Sequence, residues 1–134
     1  MEKKVKQVIV WRKDLKVRKG KFGAQVAHAA CALLLNAMDK TINYEQIKMT
    51  LTFKRESNWD AWINGKFTKI VVGCENEGEL LQLFAQAKSA GLPCVLITDA
   101  GLTEFDGVPT NTCIGIGPFW EEDINKITGH LQLM

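Results

Sequence analysis

The sequence lacks an apolar run long enough to cross a membrane. Its longest apolar run, residues 29–35, falls far short of the ~20 residues that span a bilayer. The run VIVW close to the first residue is also too short for the apolar part of a secretory signal. We therefore expect a soluble, cytoplasmic protein with no membrane partner.

Metal-binding and disulfide patterns are missing as well. The four cysteines, at positions 31, 74, 94 and 113, form no Cys-X-X-Cys pair and lack the clustered Cys/His spacing of a zinc site. Each lies within or beside an apolar segment, where a cysteine usually packs as a small core residue. We expect no metal site and, without a secretion signal, no disulfide framework.

Motifs of covalent and nucleotide chemistry are absent too. The chain contains no nucleophile elbow, no P-loop and no dinucleotide fingerprint, and no Cys–His pairing can be identified. A mechanism through a covalent acyl-enzyme is therefore a poor hypothesis for this chain.

Positive charge is concentrated in the first 21 residues. This segment holds nine of the seventeen Lys and Arg residues against two acidic residues, so its net charge is +7. The remaining residues have a net charge of −5, which leaves only +2 for the whole chain. The asymmetry predicts a basic face and an anionic partner, either a nucleic acid or an acidic metabolite.

The order of apolar and polar segments predicts one α/β domain spanning residues 1–134. Four apolar runs have the pattern of buried strands, at 7–11, 69–73, 94–98 and 112–116. Helices are predicted at 21–38, 41–55, 58–64, 77–90 and 121–129. Because strands alternate with helices, we expect a layered domain with a largely parallel sheet.

Two tryptophans, Trp59 and Trp62, lie on the short helical segment at 58–64. Side chains three residues apart share a helix face. Such a pair is more often a lid over a core than a platform for RNA bases, although stacked aromatics are a known device of RNA-binding proteins.

The first predicted helix, residues 21–38, carries the most informative polar side chains. Lys21, Gln25 and His28 are spaced i, i+4, i+7, which places them on one face of its first two turns. Past His28 nearly every position is apolar, so we expect this helix to be buried on most sides.

A basic loop leads into this helix. It contains Lys16, Arg18 and Lys19, followed by Gly20, which lets the backbone bend. A helix N-terminus has free N–H groups and a positive dipole end, so added cations make a phosphate or carboxylate site plausible. The common alternative is a solvated basic loop without a ligand.

A second loop, residues 99–109, would meet the basic loop if the first and third strands are parallel. Ligands in open α/β sheets collect beyond the carboxyl ends of such strands. Lys21, Gln25 and His28 would then lie near Asp99 and Thr103. A cation, an acid, a hydroxyl and an amide at one cleft can position a water and stabilise an oxyanion.

These residues also have structural explanations. Asp99 follows a strand directly, where Asp commonly bonds its own turn. Lys21 can simply pair with Asp99. For His28 a packed, hydrogen-bonded side chain is a more common role than a catalytic base.

Several motifs resemble those of the type 2 peptidyl-tRNA hydrolases, in the same order and over residues 7–133. They are K-X-R-K-G-K-X-X-A-Q-X-X-H-A after the strand QVIVWRKDL, then Trp59, Trp62 and Gly65 before TKIVVG, then AKSAGLPCVLITDAGLTE, IGIGP and ITGHLQL. The K-G-K…A-Q…H-A and D-A-G-L-T motifs are specific, and together they leave little room for coincidence.

The resemblance implies a three-layer α/β/α domain with a four-stranded mixed sheet, often assembled as a homodimer. It implies hydrolysis of the ester between a peptide and the ribose of tRNA, without a cofactor. The family's implicated positions fall on Lys21, Gln25, Asp99, Thr103 and Thr112, and His28 matches the helix motif. Asp99 would orient or activate water, Lys21 would stabilise the oxyanion, and Thr103 with Gln25 would position the ester or the water.

The basic residues would hold the tRNA phosphates in this hypothesis: Lys13, Lys16, Arg18 and Lys19. The chain departs from the family pattern at three places. Pro109 stands where glycine is usual in a proline-rich turn, Arg18 stands where glycine is frequent, and Gly23 replaces an alanine.

Two other functions remain open at this point. A non-catalytic RNA- or protein-binding module could keep the same scaffold, although binding alone would not require both intact motifs. An esterase acting on another acyl-nucleotide is a third, weaker hypothesis.

Overall fold

The computed structural model describes residues 3–102 and 104–134, in which four helices and seven strands form. The helices are α1 (Lys19–Asn36), α2 (Asn58–Ile63), α3 (Glu77–Ser89) and α4 (Glu121–Thr128). The strands are β1 (Val5–Arg12), β2 (Asp39–Ile42), β3 (Ile47–Thr50), β4 (Lys69–Cys74), β5 (Cys94–Asp99), β6 (Thr110–Trp120) and β7 (Gln132–Leu133).

The main sheet has the strand order β5-β6-β1-β4-β7. β1 is parallel to β4, and the other three neighbouring pairs are antiparallel. The α/β class with a mixed sheet is confirmed. The expectation of a largely parallel sheet is wrong, because β6 inserts antiparallel between β1 and β5 and, among the described strands, only β1 and β4 are parallel neighbours. The sheet gains a fifth strand because the chain after α4, expected to be a tail, pairs with β4.

Helices cover both faces of this sheet. One face packs under α1 through a core of Ile9, Trp11, Ala29 and Cys113. The other face packs under α3 and α4 through alternate positions of β1, such as Val8 and Val10. Because side chains alternate along a strand, the single strand β1 supplies both cores. The three layers expected from the resemblance are present.

The burial of α1 differs from the expectation. Only Gln25, Ala29 and Leu33 of this helix are buried, so the prediction of burial on most sides is wrong for the single chain. A helix that covers a sheet turns just one side toward it, and nothing in the described chain covers its other side. α1 therefore exposes an apolar surface.

The helix predicted over 41–55 is wrong, because this segment forms the hairpin of β2 and β3. Its strands alternate: Ile42 and Ile47 face each other on one side, while Thr41 and Lys48 pair on the opposite side. Asn43 stabilises the turn, since its Oδ1 accepts hydrogen bonds from the backbone N–H groups of Glu45 and Gln46 at 2.8 and 2.9 Å. Local turn chemistry and β-branched residues outweigh the helical spacing here.

Trp62 is fully buried, and its Nε1 donates to the Thr68 carbonyl at 2.8 Å. Trp59 packs against it edge-on, with ring centroids 6.2 Å apart. The core-lid interpretation of this pair is therefore confirmed.

Among the residues that the structure describes, no helix is both long and apolar enough to span a bilayer.

Candidate active site

The basic loop and the loop after β5 meet at one edge of the main sheet. β1 and β5 run in the same direction because each is antiparallel to β6. Their carboxyl ends, at Arg12 and Asp99, therefore lie at the same edge. α1 begins just beyond β1 and carries Lys21 to Asp99, where Nζ and Oδ1 are 2.7 Å apart. Both side chains are mostly buried, at 15 and 13 % exposure.

Both carboxylate oxygens of Asp99 accept hydrogen bonds. Besides Lys21, the Gln25 amide donates to Oδ1 at 3.1 Å, and the backbone N–H of Gly101 donates to Oδ2 at 2.8 Å. Asp99 therefore bonds its own turn and also pairs with Lys21. A carboxylate has about four acceptor positions, so these contacts leave room for a further donor such as a water.

The charge state of Asp99 follows from these contacts. The hydrogen bond from Lys21 holds the pKa of the Asp99 carboxyl below its ordinary value. Burial opposes this effect, while the Gly101 N–H and the Gln25 amide add to it. Asp99 is therefore a carboxylate at neutral pH. A carboxylate of low pKa orients a water better than it removes a proton outright.

A buried hydrogen-bond chain continues from Asp99 into the sheet. Thr112, at the start of β6, donates from Oγ1 to Gln25 Oε1 at 2.7 Å. Gln25 and Thr112 are both buried. Because the Asp99 carboxylate can only accept, the N–H₂ end of the Gln25 amide faces it, and the amide oxygen is left to accept from the Thr112 hydroxyl. Four of the six predicted catalytic residues thus form one connected unit.

The other two predicted catalytic residues, Thr103 and His28, have different outcomes. Thr103 lies outside the described residues. His28 is exposed on α1, so the expectation of a packed histidine is wrong. In the described part of the chain, no hydrogen bond joins His28 to Gln25 or Asp99. It lines a separate groove with residues of α1 and β5.

The basic residues around the cleft differ in their partners. Lys13 is paired with Glu75 at 2.7 Å, and Arg18 is paired with Glu104 at 2.6 Å. Lys16 and Lys19 are exposed, and within residues 3–102 and 104–134 no ion pair engages either side chain. Two of the four predicted phosphate contacts are therefore open, and two have competing carboxylates.

Sequence reasoning missed two residues of the loop after β5 that contact the start of α1. Glu104 holds Arg18, as described above, and the Phe105 ring lies 5.8 Å from Lys21 Nζ, within cation–π range. The hydrogen bond from the Gly101 N–H to Asp99 agrees with the tendency of Asp to bond its own turn. No spacing signal pointed to Glu104 or Phe105, since their partners lie on a distant part of the chain.

The two buried cysteines, Cys74 and Cys113, are poor nucleophiles in this fold. Burial raises the pKa of the Cys74 and Cys113 thiols to about 11, so both are protonated at neutral pH. Cys31 is exposed, contrary to the expectation that all four would pack in a core. Among the described residues, no group of three or more His, Cys, Asp or Glu side chains could hold a metal ion.

Known proteins resemble this chain over nearly its whole length. The family model described as "Peptidyl-tRNA hydrolase PTH2" matches residues 5–134. A peptidyl-tRNA hydrolase of Thermococcus onnurineus is 43% identical over 132 residues, with 96% of this chain and 97% of the relative covered. One of Methanopyrus kandleri is 42% identical over 129 residues, with the same coverage.

A solved structure supports the fold alone. A protein of unknown function from Agrobacterium strain C58 has a TM-score of 0.53 and 11% sequence identity, with 97% of each chain covered.

Proposed function

The chain belongs to the type 2 peptidyl-tRNA hydrolases, and from this premise we propose how its residues carry out the reaction. The protein hydrolyses the ester bond of peptidyl-tRNA and releases free tRNA and peptide. The observation that carries the assignment of the site is the connected unit of Lys21, Asp99, Gln25 and Thr112. Nothing in this cleft favours the alternative of a non-catalytic binding module.

Each member of the unit has a role that its contacts support. Water attack on the ester carbonyl places negative charge on the carbonyl oxygen, and the Lys21 ammonium stabilises this oxyanion. Asp99 holds Lys21 in place and orients the water through its remaining acceptor position. The Gln25 amide holds the carboxylate in place by donating to it, and Thr112 in turn holds the amide. Thr103, outside the described residues, is proposed to position the ester or the water.

The direct test is hydrolysis of N-acetyl-aminoacyl-tRNA, followed through the release of free tRNA. We expect turnover of this blocked form, while aminoacyl-tRNA with a free amine is largely spared. A protonated α-amino group beside the Lys21 ammonium is repelled, whereas an amide is not. Equal rates on both substrates, or no turnover at micromolar enzyme, would contradict the proposal.

The pH dependence of the rate tests the charge state of Asp99. The pKa of the Asp99 carboxyl is lower in the folded protein than in the unfolded chain. The stabilisation by the Lys21–Asp99 pair is therefore fully present above the pKa of the unfolded state, and it is lost as the pH falls through the pKa of the folded state. We therefore expect no step from Asp99 in kcat/KM between about pH 5 and 8, since an ordinary Asp titrates near pH ~3.9. A limb near pH 6 to 7 that disappears in Asp99→Asn would contradict this assignment.

Capture of tRNA is assigned to the basic loop. Replacing Lys16 or Lys19 with Ala should weaken binding of all tRNAs alike. The slope of log K against log salt should become shallower by about 0.7–0.9 for each lost phosphate contact. Arg18→Ala and Lys13→Ala should cost less affinity, because carboxylates already compete for these side chains. Saturated turnover should change little, since uniform binding is lost.

Lys88→Ala is the matched control for these variants, because Lys88 is an exposed lysine on the last turn of α3. It should leave both the affinity and the salt slope unchanged. A slope that is the same for Lys16→Ala, Lys19→Ala and Lys88→Ala would show that the basic loop is only a solvated surface.

We also propose that the protein acts as a homodimer in the cytoplasm, where translation produces its substrate. The dimer is supported by the outer surface of α1. No Lys, Arg, Asp or Glu occurs from residue 23 to residue 38, although positions such as Ala24, Ala27 and Leu35 are exposed in the single chain. An uncharged apolar surface of this extent is characteristic of protein interfaces.

A further inference from the structure

The hairpin of β2 and β3, residues 39–50, extends from the end of α1 as an arm. All twelve of its residues are exposed. Its two faces differ: Ile42, Ile47 and Met49 lie on one face with Lys40, and the other face carries Asp39, Thr41, Lys48 and Thr50. A lone two-stranded hairpin is marginally stable in water, so this arm has an apolar face that lacks a covering layer within the chain.

A second uncovered apolar surface lies beside the root of the arm. It is a groove of about 570 Å³ between α1 and the edge strand β5. His28, Cys31 and Leu35 line it from α1, and Leu96 and Ile97 line it from β5. None of its lining residues is Lys, Arg, Asp or Glu. The groove and the apolar face of the arm are both exposed in the same chain, so the arm does not cover its own groove.

We propose that the arm of each protomer seats its apolar face in the α1–β5 groove of a second copy of this chain. The inference rests on the dimer proposed above and not on the assignment of catalytic residues. Leu35 lies at one end of the groove and the arm begins at Asp39, so groove and arm are neighbours along the chain. One two-fold axis near the end of α1 can therefore satisfy both contacts at once, as an isologous dimer requires.

The lengths of the two surfaces match. The span from His28 to Leu35 is about 10 Å along the helix at 1.5 Å per residue. Each four-residue strand of the arm is about 14 Å long at 3.4 Å per residue. Laid from Leu35, the arm thus covers the groove and ends short of Lys21, which lies about 21 Å from Leu35 along α1. The cleft stays open in the dimer.

The buried area is sufficient for a stable dimer. The apolar side chains on this face of the arm are 67, 60 and 41 % exposed, in the order Ile42, Ile47 and Met49. At roughly 180 Å² for each, in the lower part of the range of an aromatic side chain, one arm offers about 300 Å². Two arms with equal areas of the two surfaces around the groove would bury about 1,200 Å², at the lower end of the ~1,200–2,000 Å² that stable protein interfaces remove from water. One arm folded back on its own groove would bury only half of this.

Sedimentation velocity of the purified chain and its variants tests the oligomeric part. The unmodified chain should be a dimer at micromolar concentration. Ile42→Asp with Ile47→Asp places two charges on the apolar face and should raise the dimer Kd at least tenfold. Thr41→Asp with Thr50→Asp places the same charges on the opposite face and should leave the dimer intact. Hydrolysis of N-acetyl-aminoacyl-tRNA by all three proteins confirms that each is folded.

Disulfide cross-linking tests where the arm docks. Native Cys31 lies in the groove, so Ile47→Cys should form a disulfide-linked dimer under mild oxidation, visible on a non-reducing gel. Adding Cys31→Ala should abolish the cross-link. Lys48→Cys, on the polar face of the same strand, is the matched control and should cross-link at least tenfold less.

The outcomes separate the proposals. A monomeric unmodified chain without cross-links overturns both the dimer and the arm contact, even if the chain hydrolyses its substrate. A dimer that survives Ile42→Asp with Ile47→Asp overturns the arm contact alone. A disulfide within one protomer, which migrates as a monomer, shows that the arm covers its own groove and also overturns the proposal.

Discussion

Replacing Asp99 with Asn is expected to lower saturated turnover by about 100-fold or more, the scale of losing a charged group that acts on the transition state. The Asn side chain keeps the shape of Asp99 but has no charge to hold the Lys21 ammonium or orient the water. It also presents an N–H₂ group to a site built to donate to an acceptor. Single-turnover measurement at saturating enzyme reports the chemical step without the binding step.

Lys21→Ala should cause a loss of the same size, because the ammonium is the cation that the oxyanion would meet. Binding of tRNA should change much less in both variants. Asp106→Asn is the matched control, since Asp106 is an exposed carboxylate in the same loop with a φ of 51° that Asn accepts readily. If Asp99→Asn keeps near-normal turnover while only affinity falls, Asp99 merely holds its loop and the catalytic assignment is wrong.

Gln25→Leu is expected to damage both the rate and the fold. The variant removes the amide that joins Asp99 to Thr112, and it leaves the buried Thr112 hydroxyl without its 2.7 Å acceptor. An unsatisfied buried polar group costs about 1–3 kcal/mol. The Ile97 carbonyl, 3.5 Å from the hydroxyl, offers a poorer acceptor, so we expect the lower half of this range. Losing one hydrogen bond to the carboxylate should lower turnover about tenfold.

A double-mutant cycle with Thr112→Val isolates this contact. If the hydroxyl and the amide act as a pair, removing both should cost less unfolding free energy than the sum of the single variants. Chemical denaturation gives the free energies, and single-turnover assays give the rates. Strict additivity in stability, together with an unchanged rate for Gln25→Leu, would show that the hydrogen-bond chain is not a functional unit.

Features encoded within a few residues could be predicted from the sequence. The start of α3 is an example: the Asn76 side chain accepts from the Glu79 backbone N–H, and Glu79 Oε1 accepts in return from the Glu75 N–H. The Asn-X-X-Glu spacing predicts the first contact, while the second differs by one residue, because a capping box joins the Glu side chain to the N–H of the N-cap residue itself, here Asn76. Four of the strands, β1, β4, β5 and β6, and the helix α1 were found for the same reason, because period and propensity are local properties.

The pairing of distant segments could not be predicted in the same way. The segment 39–51 fits two periods, since Ile42, Ile47 and Leu51 suit a helix while Lys40 and Ile42 alternate with Thr41 as in a strand. Only the Asn43 turn and the β-branched residues favoured the hairpin. Likewise, the insertion of β6 between β1 and β5 depends on contacts across the whole chain.

The site shows the same division. The rule that ligands gather at the carboxyl ends of strands placed Lys21 beside Asp99, 78 residues away along the chain. The rule gave no information about Glu104 and Phe105, because no general rule fixes the path of a loop. Nor could it show that His28 faces a groove outside the cleft, since one helix face is wide enough to serve both.

The two halves of the cleft are far apart along the chain, which has a consequence for the synthesis of the protein. Gln25 leaves the ribosome 87 residues before Thr112, its partner in the buried hydrogen-bond chain. At about 5–20 residues per second, this interval lasts about 4–17 s. β1 also lacks its neighbour β6 during that time. The growing chain is itself a peptidyl-tRNA, and, with the site proposed above, it completes the hydrogen-bond chain behind Asp99 only after Thr112 has been added.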